Sequence, residues 1–191
     1  MKNTLLTFLI ISITQLPVLS QVSNIGLISQ EYSKEISEYS TKEYIVRDIL
    51  CIPEGTLFGV EIDAITASNS GELTTVTYDC ETLSKKGIVL TFWSGTLGNN
   101  NSSIGEYGFL NIEYDKAVDL FTKLEKVLKF KTSILDKGKN WNAVFRWEDL
   151  YFVFYYENSA NKIRVFWNGF DSEWNQSNLK TTAKRFNKSF E

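Results

Sequence analysis

No histidine occurs in the chain. That removes the commonest general base, the Ser–His and Cys–His nucleophile arrangements and the most usual transition-metal ligand. Cys51 and Cys80 are too few and too widely spaced for a structural zinc set, and the chain has no Gly-rich phosphate loop and no calcium loop of alternating acids. Ser159-Ala160-Asn161-Lys162 matches Ser-x-x-Lys, a pair that acts when the serine opens a helix in a cleft. Here it falls in a tight turn between two strand-like runs. Carboxylates remain for proton transfer: Glu61 with Asp63 on one strand face, Glu148-Asp149, and Asp171 with Glu173 near turns. Their separation in space decides whether such a pair can do acid and base work. A carboxylate-dependent hydrolase therefore stays open as an alternative, although a solvated face or loop accounts for each pair. The residues assign no catalytic group, no cofactor and no metal.

Binding chemistry is better represented. Leu150 to Gly169, LYFVFYYENSANKIRVFWNG, has seven aromatic residues in twenty, in a chain that is 14% aromatic, and Arg146 and Arg164 lie within or beside it. Those rings either fill a core or present a surface, and only the elements around them can sort the two.

The first twenty residues stand apart from the fold. Lys2, the apolar Leu5–Ile13, Pro17 and the small-residue end Val18-Leu19-Ser20 read as a secretory signal peptide, and the apolar run is shorter than the ~20 residues that span a bilayer. The expected location is secreted or periplasmic. Residues 21–191 then form one domain, with 43% hydrophobic and 23% charged positions over the chain, well inside the range that folds. Removing Lys2 and no acid turns the formal charge of −3 into −4, which argues against a nucleic-acid partner. No integral membrane segment follows the signal. An exported Cys51 and Cys80 meet an oxidising environment in which they can bridge, with a stabilisation of roughly 3 to 4 kcal/mol in the chain-entropy model. The alternative is two buried thiols acting as small hydrophobes.

After the signal, Ile25, Ile28, Tyr32, Ile36 and Tyr39 are spaced as one helical stripe. Period-two alternation then gives a strand around Leu57–Thr66, with Phe58, Val60, Ile62 and Ala64 opposite Glu61 and Asp63. Further strands follow at Leu73–Cys80, Gly87–Ser94 and Tyr107–Tyr114, the last two joined by a polar loop, GTLGNNNSSIG. Asp115 is placed to cap a helix to Phe130, its stripe being Ala117, Leu120, Phe121, Leu124, Val127 and Leu128. Three short strands and a closing helix from about Ser177, with Leu179, Ala183, Phe186 and Phe190 on its apolar side, complete the chain. The expected fold is α+β, a mainly antiparallel sheet of strand meanders with two amphipathic helices packed on one face.

The strand GFLNIEYD running into the helix AVDLFTKLEKVL, a three-strand meander and a closing helix, all behind a signal peptide, resemble small exported bacterial α+β proteins of unknown function. The resemblance covers roughly Ile104–Phe190 and implies no activity and no functional residues.

With Asn158–Asn161 as a four-residue hairpin loop, Glu157 faces Lys162, Tyr155 faces Arg164 and Phe152 faces Trp167. One face then holds Leu150, Phe152, Phe154, Tyr156, Ile163, Val165 and Trp167, the core side, joined by Ala143, Phe145 and Trp147 if Glu148-Asp149 turns the preceding strand back through a bulge. The other face is mixed: Arg146, Tyr151, Tyr155, Arg164, Phe166 and Asn168. Arg146 beside Tyr151 and Arg164 opposite Tyr155 are candidate cation–π pairs, and aromatics with arginine are enriched at interfaces. The expectation is an exported, soluble, non-catalytic protein binding an unknown protein, peptide or glycan partner through these six residues, with a purely structural accessory domain as a further alternative.

Overall fold

The computed structural model describes residues 35–65, 73–97, 103–130, 132–135, 141–157 and 160–191; the signal segment, Ile25, Ile28, Tyr32 and Ser159 lie outside them. The fold is α+β, dominated by antiparallel sheet. Helix α1 (35–44) continues into a π-helical turn, Ile45–Leu50. Then come β1 (Glu61–Ala64), β2 (Thr74–Cys80), β3 (Lys85–Leu97), β4 (Ser103–Glu113), α2 (Tyr114–Phe130) and the short α3 (Thr132–Leu135). A second group follows: β5 (Ala143–Trp147), β6 (Leu150–Glu157), β7 (Ala160–Trp167), β8 (Phe170–Asn175) and α4 (Gln176–Lys188). The strands form two four-stranded antiparallel sheets, each in chain order. Each meander therefore runs into a helix, and the two halves share that architecture.

One core joins both sheets. Ile88, Leu90 and Phe92 of β3 meet the α2 stripe Ala117, Leu120, Phe121, Leu124 and Leu128, the inner side of the second sheet, and Leu179, Ala183 and Phe186 of α4. Both predicted helical stripes are thus buried, Val127 and Phe190 packing at the margin. Helix α2 starts directly after β4, at Tyr114, one residue ahead of the expected cap, and Asp115 sits in its first turn. Part of the loop between β3 and β4 is hairpin instead, paired as far as Leu97↔Ser103.

The first sheet is also covered on its other side, which the expectation of two helices on one face did not include. Val76, Tyr78, Cys80 and Val89 pack there against Ile45 and Leu50. Helix α1 docks through hydroxyls: Ser37 Oγ donates to Thr74 Oγ1 at 2.7 Å, and Thr41 Oγ1 lies 2.7 Å from Thr91 Oγ1. Ser37, Thr41 and Ile45 recur every four residues and are all buried, while Ile36 and Tyr39 of the apolar stripe are 37% and 71% exposed. Ile36 and Tyr39 face outward because the docking face is polar. Thr41→Val is expected to cost about 1 to 2 kcal/mol, since it leaves a buried threonine hydroxyl without its partner. The Thr41→Val, Thr91→Val pair is expected to cost less than the two single changes together. Denaturant titration of the four proteins checks this, and strict additivity would contradict the hydroxyl contact.

The cysteines do not bridge. Cys80 is buried in the cluster beneath α1, and Cys51 is exposed in a left-handed backbone position (φ +50°) with its thiol donating to the Asp48 carbonyl at 3.4 Å. The chain turn that caps the π-helical segment holds Cys51 at the surface while strand pleating turns Cys80 inward.

Among the described residues the second sheet, by contrast, is covered on one face only. That asymmetry positions the candidate site.

Candidate binding face of the second sheet

Pleating sends alternate residues to opposite faces, and the four strands agree. Leu150, Phe152, Phe154, Ile163, Val165, Ser172 and Trp174 are buried on the inner side with Ala143 and Trp147. On the outer side Val144, Tyr151 and Phe166 are 66%, 42% and 41% exposed. Arg146 and Arg164 are exposed there too, and Val153 and Tyr155 are half-buried.

The face assignment holds although the register differs. Phe152 pairs with Val165 and Glu157 with Ala160, so β6 and β7 are joined by two residues, not four. Shifting a strand by two residues keeps every side chain on its face. It does change the partners: Tyr155 stands opposite Lys162 and Arg164 opposite Val153. The expected Arg164–Tyr155 stack is accordingly replaced by other contacts. Tyr155 donates its hydroxyl to Glu173 at 3.0 Å, and Arg164 pairs with Asp171. Tyr156, expected in the core, reaches the strand end opposite Asn161 and is 50% exposed.

At the other edge Arg146 pairs directly with Tyr151 and holds its guanidinium 5.2 Å from the ring centroid, the cation–π contact expected from the sequence. The β5–β6 connection pairs without a break from Ala143↔Phe154 to Trp147↔Leu150. No bulge is needed, because Glu148 takes a left-handed conformation (φ +47°) and makes the two-residue turn itself. Asn168 is not on the face. It forms the β7–β8 turn with Gly169, both at positive φ (+46° and +82°), in the conformation that Asn-Gly favours.

That turn introduces β8, the strand missing from the expected three. Asp171 and Glu173 alternate with buried Ser172 and Trp174, so they belong to a strand face. Asn168-Gly169 between two apolar runs is the signal that would have found it. The two acids complete the outer face. Lys162 lies 2.9 Å from Glu173 and 3.0 Å from Glu157. Burial opposes ionisation of Glu173, yet the hydrogen bonds from Lys162 and Tyr155 prevail and hold its carboxyl below the usual range. The hydrogen bonds to Glu173 and then Glu157 raise the Lys162 ammonium in turn.

The result is a sheet face with two chemistries. Val144, Val153, Tyr151 and Phe166 form an apolar band across β5, β6 and β7, Val144 pairing with Val153 and Tyr151 with Phe166. Beside it, Arg164–Asp171 and Glu157–Lys162–Glu173 neutralise one another. Such a face has its charges already paired and its rings free to be covered.

The other carboxylate pairs are dispersed. Glu61 and Asp63 are exposed on the edge strand β1, and Glu148 binds Lys116 at 2.9 Å. Among the described residues no group of three or more Cys, Asp or Glu side chains is arranged to hold a metal ion, and no helix is long and apolar enough to cross a membrane. Comparison with protein-family models, with curated proteins and with solved structures finds no match to this chain.

Proposed function

We propose that the protein is exported and is a non-catalytic binding module that takes a protein or peptide partner on the outer face of its second sheet. The observation that carries this reading is the cross-strand pair Tyr151 and Phe166, both more than two-fifths exposed and flanked by Val144 and by Arg146 over the Tyr151 ring. Aromatic and arginine side chains are the groups from which interfaces draw most of their energy. A surface covered by a partner recovers roughly 25 cal/mol for each Å² of apolar area removed from water, and the ion pairs alongside need not be broken to do so. The support for export is Lys2, the apolar run and the small-residue end at Ser20, which together have the pattern of a signal peptide. A surface glycan is the other ligand class that rings on a sheet face would take.

Tyr151→Ala with Phe166→Ala is expected to weaken capture of a proteinaceous partner from a cell-envelope extract by at least about tenfold, the size of one interface hot spot. Its thermal midpoint should stay within a few degrees of the parent, since both side chains are exposed. Undiminished capture of the same partner by the variant would count decisively against the face. Loss of capture after glycosidase treatment of the extract, but not after protease, would point to the glycan.

A further inference from the structure

A cleft of about 500 Å³ opens on the opposite side of the molecule's first sheet, between the π-helical turn, the start of β3 and the junction of β4 with α2. It is independent of the second-sheet face. Its size is that of a small-molecule site, and its lining has a definite chemistry. Tyr78 lines it, with a hydroxyl donating to Asn111 Oδ1 at 2.8 Å. This leaves the Asn111 amide NH₂ as a donor. Burial pushes the Tyr78 phenol up to about 12, so it stays a neutral hydroxyl. Tyr44 lies against Phe109, ring centroids 4.8 Å apart and nearly parallel, and contributes its remaining surface as an apolar wall.

The charges decide the ligand. Lys85 is committed to the Ile49 carbonyl at 2.5 Å, and Lys86 sits 4.1 Å over the Tyr114 ring. Asp48 is held by Arg47 at 2.9 Å. Glu113 and Asp115, also in the lining, make no close ion pair among the described residues, although Glu113, after Glu148, helps to raise the Lys116 ammonium. The uncommitted groups are therefore two acceptor-only carboxylates, one amide donor and a ring wall. The lysines keep their charge, but against Lys85 and Lys86 the lining sets three carboxylates, Asp48, Glu113 and Asp115, so the cleft carries a net −1 that disfavours an anion. A polyol satisfies the uncommitted groups, hydroxyls donating to the carboxylates and accepting from the amide while its C–H face covers the ring.

We propose that this cleft binds a saccharide unit that is neutral or carries an amine.

The test is saturation-transfer NMR and calorimetric titration of the purified protein with glucosamine, N-acetylglucosamine and glucuronate in turn. Glucosamine and N-acetylglucosamine are expected to bind and glucuronate to be excluded. Glu113→Gln with Asp115→Asn is expected to weaken glucosamine by about tenfold or more, the loss of charge-assisted hydrogen bonds. Glu61→Gln with Asp63→Asn, which removes the same charge from β1 outside the cleft, should bind as the parent does. Silence from all three sugars, equal binding of glucuronate, or unchanged glucosamine affinity in the Glu113, Asp115 variant would each overturn the proposal. None of these outcomes bears on the Tyr151–Phe166 face.

Discussion

Trp174→Ala is expected to destabilise the protein by about 3 to 5 kcal/mol, the range for emptying a core site of its largest side chain. Trp174 is 1% exposed and heads the fully buried residues by volume. It stands opposite Ile163 on β7 and belongs to the core that joins both sheets and α4. The site has little room to collapse, because the side chains around it come from a pleated sheet on one side and a helix on the other. A loss of this size is a large part of the 5 to 15 kcal/mol by which domains are usually stable. Urea titration measures it. A cost below about 1 kcal/mol, the level of a surface change, would mean that β8 does not turn Trp174 inward.

Gly87→Ala is expected to cost about 1 to 3 kcal/mol or more, as insertions into packed interiors do. Gly87 lies in β3 between Tyr78 and Glu113. A Cβ there would come 2.4 Å from the Ile112 carbonyl oxygen and 2.9 Å from the Tyr78 hydroxyl. The nearer obstacle is backbone, which only a shift of β4 can relieve. Tyr78→Phe in the same chain should therefore not restore stability. Gly108 makes the contrast: a Cβ there meets ring atoms of Phe170 at 2.9 Å, and Phe170→Leu should relieve much of the strain of Gly108→Ala. Thermal midpoints of the two double variants decide the matter. At this size 1 kcal/mol moves a midpoint by about 2 to 4 °C. Rescue of Gly87→Ala by Tyr78→Phe would show that the side chain, not the strand, is the obstacle.

These two positions show where sequence reading succeeds and where it stops. Gly87 begins a run correctly read as a strand, yet nothing in its neighbours tells that a carbonyl oxygen two strands' width of sequence away excludes a methyl group. Trp174 sits in FDSEWN, whose acids suggest a turn, while the actual turn is the Asn168-Gly169 before it. Period-two spacing sorted the rings of β6 and β7 because face depends only on parity. Pairing depends on loop length, and a two-residue loop moved Arg164 from Tyr155 to Asp171 without moving any side chain across the sheet. The docking face of helix α1 was hidden for another reason: its contacts with the sheet are made by Ser37 and Thr41, and hydropathy has no way to score hydroxyls that find hydroxyls. Glu113 and Asp115 were legible only as the end of a strand and the start of a helix.

By itself the sequence determined the α+β class, the two buried helix stripes, the inner and outer faces of the aromatic hairpin, the Arg146–Tyr151 contact and the lack of histidine chemistry. All of these follow from composition or from periods of 2 and 3.6 residues, which are local. The tertiary structure alone decided that among the described residues the first sheet is covered on both faces and the second on one, that Cys51 and Cys80 stay apart, which acids neutralise Lys162 and Arg164, and that Asn111, Glu113 and Asp115 share a cleft with Tyr44 and Tyr78. Those facts depend on how elements distant in the chain meet, and packing, not periodicity, selects among the arrangements that the same pattern permits.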